Sequence, residues 1–204
     1  YGQKNNGIQI NGKLLLDDSW EPVVYISHIP TFEEMNYMSS AMIIAESKID
    51  SLGYFNMNLD FLPGHENLYR LHAVKKGNNN ATLILGGKDE NHLFFTADGS
   101  SKIFLEGTSF YSPFKKVIFR HSSANSTLQD VSKMVYIADS IGSESSASKR
   151  ALINERLKTD LLNMADSCSS NLVSLYALYM NRFESDIEEN ADFYKDYLKR
   201  RKMK

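Results

Sequence analysis

The sequence predicts a mainly β chain followed by α structure: an antiparallel β-sandwich or small barrel with a C-terminal helical region of about four helices. From Gly7 to about Phe119, apolar and polar residues alternate with a period of two. Clusters rich in glycine, asparagine and aspartate interrupt this alternation and suit turns. After about Ser122 the apolar period becomes helical. We therefore predict an antiparallel β domain at residues 1–122 and a helical spacer domain at residues 123–204.

Short stretches of alternation or apolar sequence mark the candidate strands. They are residues 8–16, 23–27, 42–49, 54–61, 68–74, 82–85, 92–96 and 103–105. Strands this short and closely spaced, mostly without helices between them, are typical of a sandwich or barrel. The apolar run at residues 41–45 suits a buried strand, and residues 31–40 form either a short helix or a long loop.

The most regular candidate strand follows Gly53. Phe55, Met57, Leu59 and Phe61 point to one face, and the predicted core residues are Phe55, Met57 and Leu59. The intervening side chains, which we expect to face the other way, are Tyr54, Asn56, Asn58 and Asp60. Asp50, Ser51 and Gly53 predict a turn that starts this strand.

Four helices are predicted after the strands. Ser126 and Gln129 fit a capping box at the start of a helix that ends near Gly142, and residues 143–148 suggest a polar linker. A second capping box at residues 185–188 opens the fourth helix. The predicted apolar faces are Leu128, Val131, Val135 and Ala138; Ile153, Leu157, Leu161 and Met164; Leu172, Leu175, Tyr179 and Phe183; and Ile187, Ala191, Tyr194 and Leu198.

Composition excludes several classes of function. The 204 residues carry 23 basic and 25 acidic side chains, so a net charge of −2 gives no global attraction to nucleic acid or to an anionic membrane. Residues 195–204 alone carry a net charge of +5. This basic end could contact phosphates or lipid head groups, but it also complements the dipole of the last helix without any partner. No apolar run reaches the roughly 18 residues of a membrane span.

Cys168 is the single cysteine, so an internal disulfide or a CxxC motif cannot form within the chain. Its position before a predicted helix leaves two interpretations, a reactive thiol or a small buried apolar side chain. The chain begins at Tyr1, which suits either a mature N-terminus after signal-peptide removal or an arbitrary sequence boundary.

The best cluster for chemistry lies in residues 86–92, where Lys88, Asp89, Glu90 and His92 follow two glycines. These four side chains could coordinate a metal or bind an anion or another ligand, and the alternative is a polar loop between strands. The five histidines are scattered without a metal-binding spacing, and no GxSxG motif occurs. We therefore predict no catalytic residue, no metal site and no cofactor, and we disfavour a hydrolase.

Several short motifs occur in an order that resembles a known domain family. They are Ile10-Asn11-Gly12-Lys13, Val24-Tyr25-Ile26, the stretch from Ile49 to Phe55, Leu68-Tyr69-Arg70-Leu71, His92-Leu93-Phe94-Phe95 and Ile103 to Gly107. In this order they resemble a β-rich domain of unknown function found in certain Gram-negative bacteria. That domain precedes exported thioredoxin-like thiol-disulfide oxidoreductases, or a membrane span followed by a cytoplasmic helix-turn-helix domain.

The resemblance implies a periplasmic or cell-envelope location, outside the cytoplasm. On this basis we expect a non-catalytic interaction or sensing module, the N-terminal part of a longer envelope protein, which binds a protein partner or a small ligand. The alternative is a scaffold that positions a thioredoxin-like enzyme encoded beyond Lys204. No nucleic acid is expected to bind these residues, and membrane attachment would come only from a further C-terminal segment.

Overall fold

A computed structural model of the chain describes residues 7–60, 64–180 and 191–202. In these residues, the N-terminal part, up to Arg120, holds two four-stranded sheets and the C-terminal part holds four α-helices, which confirms the predicted fold class. The contacts divide the chain into two compact units, Tyr1–Ser126 and Thr127–Lys204, whereas the sequence places the boundary after residue 122.

The first sheet has the strand order β4-β1-β7-β8, and the second has the order β3-β2-β5-β6. The strands are β1 (Ile8–Lys13), β2 (Trp20–Ile29), β3 (Ile43–Lys48), β4 (Tyr54–Leu59), β5 (Asn67–Lys75), β6 (His92–Ala97), β7 (Lys102–Gly107) and β8 (Val117–Arg120). Neighbouring strands are antiparallel except for β1 and β7, which are parallel. A parallel pair of strands so distant in sequence has no local signature, so periodicity could not predict it.

Alternate side chains of the strands fill the core between the sheets. Phe55, Met57 and Leu59 are buried there, as the alternation predicts, and each is at most 5% exposed. Gly12 lies directly across from Phe55 in the β1–β4 pair, and the Phe55 ring covers the space that a side chain at Gly12 would need. The core of the first unit thus depends on a glycine and an aromatic ring that fit together.

The predicted buried strand at residues 41–45 is wrong. Ser40–Met42 forms a short 3₁₀ turn, and β3 begins at Ile43 as the edge strand of the second sheet. Its residues alternate between half-buried and exposed, because an edge strand with one open face cannot bury both sides. Ile44 is 42% exposed despite its place in an apolar run.

Residues 82–85 do not form the predicted strand. The buried side chain of Asn91 bonds to these residues in place of a neighbouring strand. Its Oδ1 accepts from Ile84 N at 2.8 Å and its Nδ2 donates to Thr82 O at 2.8 Å. It also donates to Ala73 O at 2.7 Å on β5. One asparagine therefore satisfies backbone groups that a strand would have satisfied with a neighbouring strand. Conversely, β8 is a strand that the sequence analysis did not predict.

Residues 31–40, predicted to form either a short helix or a long loop, contain a 3₁₀ helix, Phe32–Asn36, which agrees with the first alternative. The fully buried side chain of Arg70 on β5 holds its end: the guanidinium donates to the carbonyls of Glu34 at 3.0 Å, Met35 at 2.7 Å and Tyr37 at 3.0 Å. This interaction fixes the segment to the second sheet.

The helices are α1 (Ser123–Ser143), α2 (Ala147–Ser167), α3 (Asn171–Tyr179) and α4 (Ala191–Lys202). The capping box predicted at Ser126 is wrong, because α1 starts three residues earlier and Ser122 Oγ accepts from Asn125 N at 3.3 Å. The predicted linker at 143–148 shrinks to residues 144–146. Ser146 caps α2, where its Oγ accepts from Lys149 N at 3.4 Å.

The buried face of α3 also differs from the prediction. Leu172, Leu175 and Tyr179 are only partly buried, whereas the buried residues of α3 are Val173, Ser174, Tyr176, Ala177 and Leu178. The helix is apolar on nearly every side, so its sequence period does not select a face. Phe61, Phe183, Ile187, the chain start at Tyr1 and the capping box at 185–188 lie outside the described residues.

Polar side-chain contacts join helix α4 to α2 and α3. Tyr197 donates to Asp166 at 3.0 Å, and Arg201 donates to the Ala165 carbonyl and to Ser174 Oγ. Ser174 Oγ also donates to Ala165 O at 2.8 Å. Arg201, part of the basic segment, thus stabilises a carbonyl near the C-terminal end of α2, which a cation suits.

Candidate ligand-binding site

The outer face of the first sheet carries an open groove of about 800 Å³, which lies within the first unit. Strands β1, β4, β7 and β8 supply its floor, since every second residue of each strand points away from the core. The side chains of interest are Asn11, Lys13, Tyr54, Asn56, Phe104, Glu106 and Arg120, and Ser47, Lys48 and Asp50 line the groove beside them.

Tyr54 and Phe104 place two aromatic rings on the groove floor, at strand positions that face solvent and not the core. Tyr54 is 50% exposed and Phe104 is 39% exposed. Lys13 Nζ lies 4.9 Å from the centroid of the Tyr54 ring and so holds it by a cation–π contact. Because exposed aromatic side chains carry a large apolar surface with a preferred geometry, they commonly mark contact sites.

The turn before β4 positions Tyr54. Asp50 Oδ1 accepts from Leu52 N at 2.9 Å and from Tyr54 N at 2.8 Å, and Asp50 O accepts from Gly53 N at 3.0 Å. Gly53 has φ +88, a conformation that residues with a side chain rarely adopt. The turn predicted from Asp50, Ser51 and Gly53 is therefore confirmed, and it fixes where the aromatic residue enters the groove.

Polar side chains connect the strands of the floor. Asn56 Nδ2 donates to Asn11 Oδ1 across the β4–β1 pair. Arg120 on β8 donates to Glu106 on β7 at 2.5 Å. The hydrogen bond and charge of Arg120 lower the pKa of Glu106, and Glu106 raises the pKa of Arg120 for the same reasons. These contacts order the floor before any ligand binds.

One wall of the groove belongs to the second sheet. The β3–β4 connection crosses from the second sheet to the first, and Ser47 Oγ donates to Asn56 O at 3.0 Å. Asp50 N donates to Tyr54 O at 2.9 Å. Two carbonyls of edge strand β4 are thus already bonded.

The four candidate residues of the 86–92 segment do not converge on one point. Asp89 pairs with Lys75 at 3.2 Å and Glu90 pairs with Lys115 at 3.5 Å, while Lys88 is exposed. His92 is only 7% exposed on β6 and contacts the Phe94 ring edge-on. In the described ranges, no group of three or more histidine, cysteine, aspartate or glutamate side chains could hold a metal ion.

Histidines 72 and 92, which the sequence analysis treated as scattered, lie directly opposite each other on β5 and β6. His72 Nε2 is 2.9 Å from Asn80 O, and burial lowers the pKa of His72 to about 4 and that of His92 to about 3. The nearby charge of Arg70 contributes to both of these lowered pKa values. Sequence distance concealed this pair, since only strand pairing brings the two residues together.

Cys168 is a free thiol at the C-cap of α2 and is 8% exposed, which agrees with the buried apolar interpretation. The groove, by contrast, was missed by the sequence analysis. The available signal was an aromatic residue at an outward-facing position in each of two strands, Tyr54 and Phe104, where burial does not require one.

The fold places the chain in the class of two-sheet β proteins with C-terminal helices. Comparisons with protein-family models, curated proteins and solved structures found no match. The resemblance to the β-rich envelope domain therefore stays a prediction. None of the helices in the described ranges has the length and apolar character needed to cross a membrane.

Proposed function

We propose that this chain is a non-catalytic recognition module of the cell envelope that binds its ligand in the groove of the first sheet. The ligand presents a flat apolar face together with hydroxyl or amide groups. One observation carries this proposal: two partly exposed aromatic rings, Tyr54 and Phe104, share an open groove with ordered polar side chains. Such a mixture of apolar contact and oriented polar groups is typical of binding sites.

The polar groups of the groove suit binding better than proton transfer. Asp50 already accepts two backbone hydrogen bonds, and Glu106 is paired with Arg120. A general acid or base needs a pKa near the working pH, yet Arg120 lowers the pKa of Glu106 from its ordinary acidic value. The envelope location rests on the family resemblance alone.

Nuclear magnetic resonance titration of isotope-labelled chain 1–204 tests the proposal. The probes are glucose, N-acetylglucosamine and linear oligomers of each, a neutral alanine dipeptide amide, and inorganic phosphate. We expect at least one probe to cause saturable shifts of amides in β1, β4 and β7, without shifts in α2 and α3. A titration in which none of the probes perturbs the three strands saturably contradicts the proposal.

A Tyr54→Ala, Phe104→Ala double variant tests whether the probe that causes the amide shifts binds at the two aromatic residues. Both side chains point away from the core, so we expect the fold to persist, as reported by the fluorescence of the single tryptophan, Trp20, which is buried in the core. The saturable shifts should disappear. Tyr111→Ala is the matched control, because Tyr111 is 89% exposed and lies outside the groove.

A further inference from the structure

We propose that the ligand of the groove is a neutral linear oligosaccharide, whose sugar rings pack on Phe104 and on the face of the Tyr54 ring that Lys13 leaves uncovered. This inference rests on the proposed function and names its ligand class. A pyranose ring has a face of C–H groups that packs on an aromatic ring and an edge of hydroxyl groups that donate and accept hydrogen bonds. The groove offers partners for both.

The spacing of the two aromatic residues requires a ligand longer than one sugar. Tyr54 lies opposite Lys13, and Phe104 lies beside Asn11, so the two are separated by two strand spacings across the sheet and two residues along it. With ~4.8 Å between strands and ~3.3 Å per residue, their Cα atoms are about 12 Å apart. This distance exceeds a single pyranose ring, so the two aromatic rings contact different sugar units of one chain.

The side chains between the aromatic residues suit hydroxyl groups. Asn11 lies between them on β1, and its amide is bonded to that of Asn56. An asparagine amide can donate two hydrogen bonds and accept further ones, so each retains groups that a hydroxyl can bind. The Asn11–Asn56 bond orders both amides, which lowers the entropy lost on binding.

The charges of the groove favour a neutral ligand over an anion. Glu106 and Arg120 neutralise each other, and Lys13 is held over the Tyr54 ring. An acid or a phosphate ester is bound best by converging cations or backbone N–H groups. Lys48 is a further cation in the lining, but a single exposed lysine does not provide such a cluster.

The edge of the sheet disfavours an extended peptide. Peptides commonly bind sheets by adding a strand to a free edge. At the β4 edge of the groove, the carbonyls of Tyr54 and Asn56 already accept hydrogen bonds from Asp50 N and Ser47 Oγ, so β4 does not offer a peptide a free edge there. A ligand that approaches the face of the sheet, as a sugar chain does, needs no free edge.

Calorimetric titration of chain 1–204 with cello-, chito- and malto-oligosaccharides of increasing length tests the ligand class. We expect one series to bind, with an affinity that rises until the oligomer reaches both aromatic residues. Tyr54→Ala and Phe104→Ala should each weaken binding about tenfold or more, which corresponds to about 1.4 kcal/mol. Tyr111→Ala should leave the affinity unchanged.

The outcomes separate the ligand class from the proposed function. If the peptide amide or phosphate shifts the groove amides and no oligosaccharide series binds, the oligosaccharide inference is wrong and the recognition function stands. If no probe of any class perturbs the groove, both are wrong. Oligosaccharide binding that is insensitive to Tyr54→Ala and Phe104→Ala overturns the inference, because the sugar then binds elsewhere.

Discussion

Replacing Gly12 with alanine tests the fit between β1 and β4. Gly12 faces the core directly opposite Phe55, which is 5% exposed, and a Cβ atom at Gly12 would overlap the Phe55 ring. The backbone of Gly12 lies outside the left-handed region, so alanine meets no strain except this overlap. The ring must therefore move, and it can move only into a filled core.

The magnitude follows from two opposing effects. Forcing an extra methyl group into a packed core costs roughly 1–3 kcal/mol. Replacing glycine by alanine where the backbone permits it stabilises by roughly 0.4–1 kcal/mol, because the unfolded chain loses freedom. We expect Gly12→Ala to lower the free energy of unfolding by about 1–2 kcal/mol in net terms.

A double-mutant cycle with Phe55→Leu isolates the contact. Phe55→Leu alone should cost about 1–2 kcal/mol through the smaller side chain. In that background Gly12→Ala should be neutral or stabilising, which gives a coupling of about 1–3 kcal/mol between the two positions. Urea unfolding followed by Trp20 fluorescence is a suitable assay, since Trp20 lies in the same core.

Gly64→Ala is the matched control. No atom lies within 4 Å of a Cβ placed at Gly64, and its φ is not positive. It should be neutral or slightly stabilising. Additive effects of Gly12→Ala and Phe55→Leu would refute the reasoning, because they would show that the ring does not occupy the space beside Gly12.

Three further predictions concern the buried histidines, Arg70 and Cys168. Because burial lowers the pKa of His72 from 6.5 to about 4 and that of His92 to about 3, the unfolded state binds more protons over this range. Stability should therefore be full above pH 6.5 and fall on acidification towards pH 4, by ~3 kcal/mol for His72 alone; His72→Gln should flatten the profile, and a profile that His72→Gln leaves unchanged contradicts the assignment. Arg70→Met should cost about 3 kcal/mol and expose residues 30–39 to proteases, since three carbonyls lose a hydrogen bond from the guanidinium; wild-type resistance in limited proteolysis and unfolding would argue against this role. Chain 1–204 should reduce insulin no faster than background, because a dithiol cycle needs a second cysteine; activity that vanishes in Cys168→Ser would contradict a non-catalytic chain.

Local pattern was sufficient for β4 and insufficient for residues 82–85. In β4 the alternation of apolar and polar residues begins directly after the glycine turn at Gly53, and its apolar residues form one buried face. Both signals predict the same strand. Residues 82–85 have suitable strand composition, but Asn91 provides their hydrogen bonds, and a single side chain seven residues away from Ile84 leaves no periodic signal. Similarly, the nearly uniform apolarity of α3 concealed its buried face.

The groove could be predicted only in part for a related reason. The outward direction of Tyr54 follows from alternation, and the turn that positions it follows from Asp50 and Gly53. That Phe104 belongs to the same surface depends on the parallel pairing of β1 with β7, which joins segments about ninety residues apart in sequence. Long-range strand order therefore decides which polar and aromatic residues share a site.

The crossing of the β3–β4 connection from one sheet to the other has a consequence for hydrogen exchange. A ligand bound in the groove as we propose would contact the floor on the first sheet and the wall at Ser47 and Lys48 on the second. Any opening that separates the two sheet edges must then release the ligand, so the free energy of opening rises with ligand concentration. Backbone amides of β3 should become protected from exchange together with those of β4, although the two strands belong to different sheets.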